Sequence, residues 1–222
     1  VTIVSDNATN TVAKTGDEIT VSFTVDDDML ATPTATIQTK AATVAVDGAH
    51  PNYTAKYTMI GTDTEGAIAF TLDFTDESGN AATTVTSVTD ASSVTFDRTA
   101  PTATAVTIVS DNATNTVAKT GDEITISFTV DDDMLATPTA TIQTKAATVA
   151  VDGAHPNYTA KYTLIGTDTE GAVAFTLDFS DEAGNAATTV TAVTDATAVT
   201  FDRTLPTATA VTIVSDNATN TV

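Results

Sequence analysis

The stretch FDRTAPTATAVTIVSDN, residues 96–112, returns at 201–217 as FDRTLPTATAVTIVSDN, and its reading decides how the chain is built. On its N-terminal side an apolar strand closes at Phe96 and is followed by Asp97 and Arg98. On its C-terminal side Pro101 opens a new strand rich in threonine and valine. Pro101 fixes its own φ and biases Ala100 towards extended geometry, so the link is short and semi-stiff, unlike a glycine/serine tether. A link of this kind holds two modules at a set angle.

The spacing of the two junctions gives a period of 105 residues: 1–105 and 106–210 align without a gap and differ at nine positions, and 211–222 begin a third copy, as in a piece of a longer array. A period of about 20 to 50 residues would indicate a solenoid or propeller, whereas about 100 residues suffice for an independently folding domain. The expected division is one repeat at 1–99, a second at 100–204, and the first strand of a truncated third at 205–222.

The net charge is −21, from 29 acidic against eight basic side chains. Nucleic acid and anionic lipid are poor partners for such a surface, which either keeps the protein soluble or collects cations. There is no cysteine to form a disulfide, and no run of 18 apolar residues to insert into a membrane. The expected partners are neighbouring repeats of the same chain, in a monomeric rod.

Threonine occurs 25 times in residues 1–105, and branching at Cβ favours extended backbone over helix. Alternation locates the strands. Residues 18–25 set Ile19, Val21, Phe23 and Val25 on one face, and 67–74 set Ile68, Phe70, Leu72 and Phe74 on one face. Weaker strands are expected at 1–4, 34–38, 43–46 with Val44 and Val46, and 53–60 with Tyr53, Ala55, Tyr57 and Met59 inward. A bulged last strand is expected from 83 to 96, with Val85, Val88, Val94 and Phe96 as core residues. Turns rich in Asp, Asn, Gly and Thr separate them. About seven short strands in some 100 residues, with no stretch at helical spacing, imply an all-β fold: tandem antiparallel sandwiches with immunoglobulin-like connectivity.

In that connectivity the B–C and F–G loops emerge at one pole, beside the start of the first strand. The pole carries Asp26, Asp27 and Asp28 with Asp76, Glu77 and Asn80, and in the second copy Asp131, Asp132 and Asp133 with Asp181, Glu182 and Asn185. The first strand of the second copy follows the junction directly, so Asp97 reaches the same place, and Asp202 holds the equivalent position one repeat later. Carboxylates crowded at a domain interface suit Ca²⁺, which takes about six to eight oxygens in flexible geometry, better than Mg²⁺, which demands an octahedron. The competing reading is a set of solvated acidic turns. The opposite pole gathers Asp6, Asn7 and Asp17 with Asp63 and Glu65, and in the second copy Asp111, Asp168 and Glu170, as a second cation site or as Asx turns capping their own backbone.

Catalytic readings find little support. His50 and His155 are the only histidines, each in an AHPN turn without a nucleophile nearby. The carboxylates sit on polar loops with nothing to desolvate one and raise its pKa, and no glycine-rich phosphate loop or nucleophile elbow is present. A lysine–asparagine crosslink would need a buried lysine, while Lys56 faces outward by alternation. The Thr-x-Thr pairs fit the solvent side of a strand better than a ligand-binding face.

GDEITxSF (16–23), DESGN or DEAGN (76–80, 181–185) and the closing VTFDRTxPT (94–102, 199–207), in this order, resemble the bacterial Ig-like repeats of very large surface adhesins. The unit looks most like the extender repeats of RTX-type long adhesins and biofilm-associated proteins. The resemblance covers the whole 105-residue unit, though no toxin-type nonapeptide calcium repeat occurs here. It implies an extracellular location on a bacterial surface, many copies strung together, and calcium stiffening the links so that a terminal adhesive domain is held away from the cell. By position, the implied junction ligands are Asp97, the loop 131–133 and Asp181. The expected role is a spacer in which each domain adds roughly 40 Å, from strands of six to nine residues at ~3.3 Å each plus loops. Two alternatives stand beside it: a module binding glycan through calcium, which an exposed aromatic near the acidic loops would favour, and a surface-layer or sheath repeat with lateral chain contacts.

Overall fold

The computed structural model describes residues 1–216. Each repeat closes its own set of sheets around its own core, and no described residue is helical. In chain order the first repeat contains β1 (Thr2–Ser5), β2 (Val12–Ala13), β3 (Glu18–Thr24), β4 (Thr34–Ile37), β5 (Lys40–Ala41), β6 (Thr43–Val46), β7 (Asn52–Thr58), β8 (Gly66–Ala67), β9 (Phe70–Asp73) and β10 (Thr95–Phe96). The second contains β11 (Ala103–Ser110), β12 (Val117–Ala118), β13 (Glu123–Val130), β14 (Thr139–Ile142), β15 (Lys145–Ala146), β16 (Thr148–Val151), β17 (Asn157–Thr163), β18 (Gly171–Ala172), β19 (Phe175–Asp178) and β20 (Thr200–Phe201).

One layer of the first sandwich is the antiparallel sheet β1-β3-β7-β6; the other is made of β5-β4-β9 and β2-β10-β8. The second repeat reproduces both. Alternation along β3 drives the packing: Ile19 and Val21 are fully buried, and Phe23 stacks on Tyr53 of β7 with ring centroids 5.6 Å apart. The outward residues pair with each other across the sheet, as where Lys56 Nζ lies 2.5 Å from Glu18 Oε1.

Four features depart from the expectation. The stretch 67–74 is not one strand, because β8 pairs with β10 while β9 pairs with β4. The chain changes partner at Ile68 and Ala69, whose backbone groups bond outward to Val94 and Gln38. The bulged strand 83–96 reduces to β10 plus a bridge from Val85 to Leu72, and the segment between holds the chain start through Thr89 and Ser92. Val46 lies on the edge strand β6 and is half exposed. Finally, one strand pair is parallel: the loop after β1 crosses to the other layer and lays β2 alongside β10, with Thr95 N–H donating to Thr11 O and Asp97 N–H to Ala13 O.

The junction is shorter than its sequence. Strand β11 already pairs with β13 at Ala103, so only 97–102 lie between the last strand of one repeat and the first of the next. The register shifts between Thr104 and Thr107, where Ala105 adopts a positive φ of 51° and the bulge turns Val106 into the core. Residues 205–216, expected to open a third repeat, carry no strand, and Val211, Ile213 and Val214 are exposed. A lone segment with no sheet to join cannot offset its ordering entropy. Residues 217–222 lie outside the described residues.

Candidate functional site

Three chain segments deliver one carboxylate each to the junction. Asp97 follows β10, anchored by its own N–H to Ala13 O and by Thr99 N–H, which donates to Oδ1 at 2.9 Å. Asp132 lies in the loop after β13. Asp181 opens the turn after β19 and is 1% exposed. Its two oxygens accept the backbone N–H and side-chain Nδ2 of Asn185, each at 2.8 Å, which fixes the carboxylate's direction. A bridge between Met134 and Asp181 and a bond from Glu182 N–H to Asp133 O tie the two loops of the second repeat together. Asn185 Nδ2 also reaches across to Asp97 O at 3.1 Å.

One oxygen from each of Asp97, Asp132 and Asp181 lies within 4.8 Å of the others. Among the described residues this is the one group of three or more such ligand-type side chains that converges, and no Lys, Arg or His forms an ion pair with any of the three. Two like charges 4 Å apart repel by about 4 kcal/mol at an effective dielectric near 20. The Asp97 carboxyl is accordingly held above its usual pKa, first by burial and then, against the opposing Thr99 hydrogen bond, by the charges of Asp181, Asp132 and Glu65. The donor set is hard oxygen on loops, which fits a Ca²⁺-type ion.

The other candidates have different occupations. Both oxygens of Asp131 accept from Thr102, N–H at 2.7 Å and Oγ1 at 2.6 Å, so Asp131 fastens the link to the second sandwich. Asp133 is exposed, 3.8 Å from His155 Nδ1, and Glu182 is exposed. In the first repeat Asp26, Asp27, Asp28 and Glu77 are exposed, and the Asp76 carboxylate accepts from the backbone N–H and side-chain Nδ2 of Asn80. Asp202 is exposed and accepts from Thr204.

The opposite pole is the other half of the same junction, since in a tandem array the exit pole of one repeat faces the entry pole of the next. Asn7 Nδ2 donates to Asp17 at 2.6 Å and to Ala183 O at 2.9 Å, and Lys14 Nζ donates to Gly184 O at 2.9 Å. The remaining acids there are used locally. Asp6 and Asp111 accept the N–H groups of Glu18 and Glu123. Asp63 and Asp168, both buried, accept from Ile60 and Tyr57 and from Ile165 and Tyr162. Glu65 accepts from Arg98 N–H and Thr99, and Glu170 from Arg203 N–H and Thr204; these bonds hold both glutamates below the usual carboxylate range. Sequence reasoning missed Asn7, Lys14 and Asn185 as cross-junction donors, although a tandem repeat already requires its two poles to meet.

No family model matches the chain, and no curated protein matches it. Solved structures do align with it. The D00-D0 domain of intimin shares 14% identity over 90% of this chain and 99% of that chain, with a TM-score of 0.32. SGBP-B of the Bacteroides ovatus mixed-linkage glucan utilization locus, in complex with a mixed-linkage heptasaccharide, shares 15% identity over 87% of this chain and 43% of its own, with a TM-score of 0.26.

Proposed function

We propose that the chain is a spacer segment of a bacterial cell-surface adhesin, non-catalytic and extracellular, in which calcium at the domain junction sets the angle between successive sandwiches. The observation that carries this reading is the convergence of Asp97 from one repeat with Asp132 and Asp181 from the next, without a basic partner. Calcium would neutralise three carboxylates that otherwise repel, and would turn them into ligands shared between two domains. Asp97, Asp132 and Asp181 would hold it, leaving the rest of the shell to water or backbone oxygen. Binding to the folded state alone stabilises it by mass action.

The glycan-binding alternative called for an exposed aromatic beside the acidic loops. Every phenylalanine and tyrosine is buried or half-buried, which favours the spacer. The test is a calcium titration followed by small-angle scattering and thermal melting. With excess chelator both sandwiches stay folded, the melting temperature falls, and the two-domain particle becomes more compact or more variable in shape. Asp97→Ala reproduces the loss of stiffness and spares each fold. Identical profiles and melting temperatures in millimolar calcium and in chelator would sink the reading.

A further inference from the structure

The turn at 14–17 and its copy at 119–122 have the same sequence and the same internal bonds. Lys14 N–H donates to Asp17 Oδ2 at 2.8 Å and Lys119 N–H to Asp122 Oδ2 at 2.9 Å, while Asn7 and Asn112 Nδ2 donate to those same oxygens at 2.6 and 2.7 Å. One atom differs. Lys119 Nζ lies 2.6 Å from Asp122 Oδ1, whereas Lys14 Nζ has left its own turn for Gly184 O, 2.9 Å away on the second repeat. The pole carrying Lys119 faces no folded repeat among the described residues, and the pole carrying Lys14 does.

We propose that Lys14 is a docking latch that needs no metal: its ammonium exchanges the Asp17 carboxylate for the Gly184 carbonyl when the next repeat seats, and returns to Asp17 when that repeat swings away. A side chain at Gly184 would have to displace the Lys14 ammonium from this contact. The φ of Gly184 is +85°, and a Cβ at that position would meet Lys14 Nζ at 2.8 Å. The equivalent Gly79, with φ +89°, would meet nothing within 4 Å. The latch also explains why docking tolerates a lysine that a simple turn would keep paired. A carbonyl backed by a second acceptor, Ala183 O on Asn7, offers the ammonium a comparable hydrogen bond without bringing a further carboxylate into a crowded junction. This deepens the spacer reading of the junction and is independent of whether calcium binds there.

The chain has no cysteine, so cysteines introduced at the exposed, equivalent positions Thr43 and Thr148 carry spin labels cleanly, one on each repeat. Distance distributions are measured by pulsed electron resonance on the full chain in excess chelator. Lys14→Gln is expected to raise the undocked population about tenfold, the factor that one lost bond of about 1.4 kcal/mol carries, while Lys119→Gln leaves the distribution unchanged. Gly184→Ala and Gly79→Ala share the backbone strain of a positive φ, so Gly184→Ala broadens the distribution and Gly79→Ala does not. That pair decides the matter even where Lys14→Gln impairs folding. Equal distributions for Lys14→Gln and Lys119→Gln, or for the two glycine variants, would overturn the latch. Failure of the calcium reading shows differently, as a wild-type distribution that calcium leaves unmoved.

Discussion

The turns at 76–80 and 181–185 differ only at Ser78 against Ala183, yet they live in different environments. Asp76 is half-buried and Ser78 exposed, whereas Asp181 is 1% and Ala183 2% exposed. Both aspartates bind their own asparagine in the same way, and that bond holds the Asp76 carboxyl below its usual pKa. What separates them is the first repeat, which covers one turn and leaves the other open. The local fold of an acidic loop is therefore written in its own residues, while its burial is written in its neighbour's.

Four experiments test this difference between the repeats. The cores should not distinguish the repeats: Phe70→Ala and Phe175→Ala are each expected to cost about 3 to 5 kcal/mol in chemical denaturation, through lost burial and the cavity left behind. A marked inequality between them would mean that the junction reaches the cores. At the turns the repeats should part. Asp181→Asn is expected to weaken the calcium midpoint about tenfold or more, about 1.4 kcal/mol, and Asp76→Asn to leave it in place. Asn185→Ala removes a bond to Asp97 O that Asn80→Ala has no counterpart to lose, so its cost in melting experiments should exceed that of Asn80→Ala by about 0.5 to 1.5 kcal/mol.

The smallest effect is set by pH. The Asp122 carboxyl is lowered to about 2, first by the Lys119 ammonium and then by Asn112. A depressed carboxylate stabilises the folded state above its unfolded pKa, and that stability fades as pH falls through the folded value. The second repeat should therefore keep this contribution above about pH 4 and lose it towards about pH 2. Lys119→Gln should leave that onset in place, make the loss smaller and complete it at a higher pH, the change staying small because Lys119 is exposed. Melting curves at stepped pH, read through the second repeat, check this; curves that coincide for both proteins would remove Lys119 as the cause.

Much of this was legible in the residues. Alternation placed Ile19, Val21, Phe23, Tyr53, Ala55 and Met59 inside, and counting strands to find which loops share a pole brought Asp97 to the loops of Asp132 and Asp181. Other parts had no local signal. The hairpin joining β4 to β5 turns through Gln38 and Thr39, both at positive φ, without the glycine or asparagine that announces such a turn. Three consecutive aspartates, 131 to 133, look alike in sequence, and only the bulged entry of β11 decides that Asp131 meets Thr102 while Asp132 faces the cluster. Lys14 and Asn7 address backbone carbonyls, which every residue carries, so composition could not name their targets.

The parallel pairing of β2 with β10 bears on what happens when the chain is pulled. The two strands run the same way but belong to opposite ends of each repeat's path, so tension applied through the flanking residues draws them past each other lengthwise. The bonds from Thr95 to Thr11 and from Asp97 to Ala13 are then loaded in shear, both at once, where an antiparallel hairpin would unzip one bond at a time. Asp97 stands at both places. Its backbone helps keep the first sandwich from tearing open, and its side chain faces the next repeat, so one residue couples the tensile strength of a domain to the bending stiffness of the link that follows it.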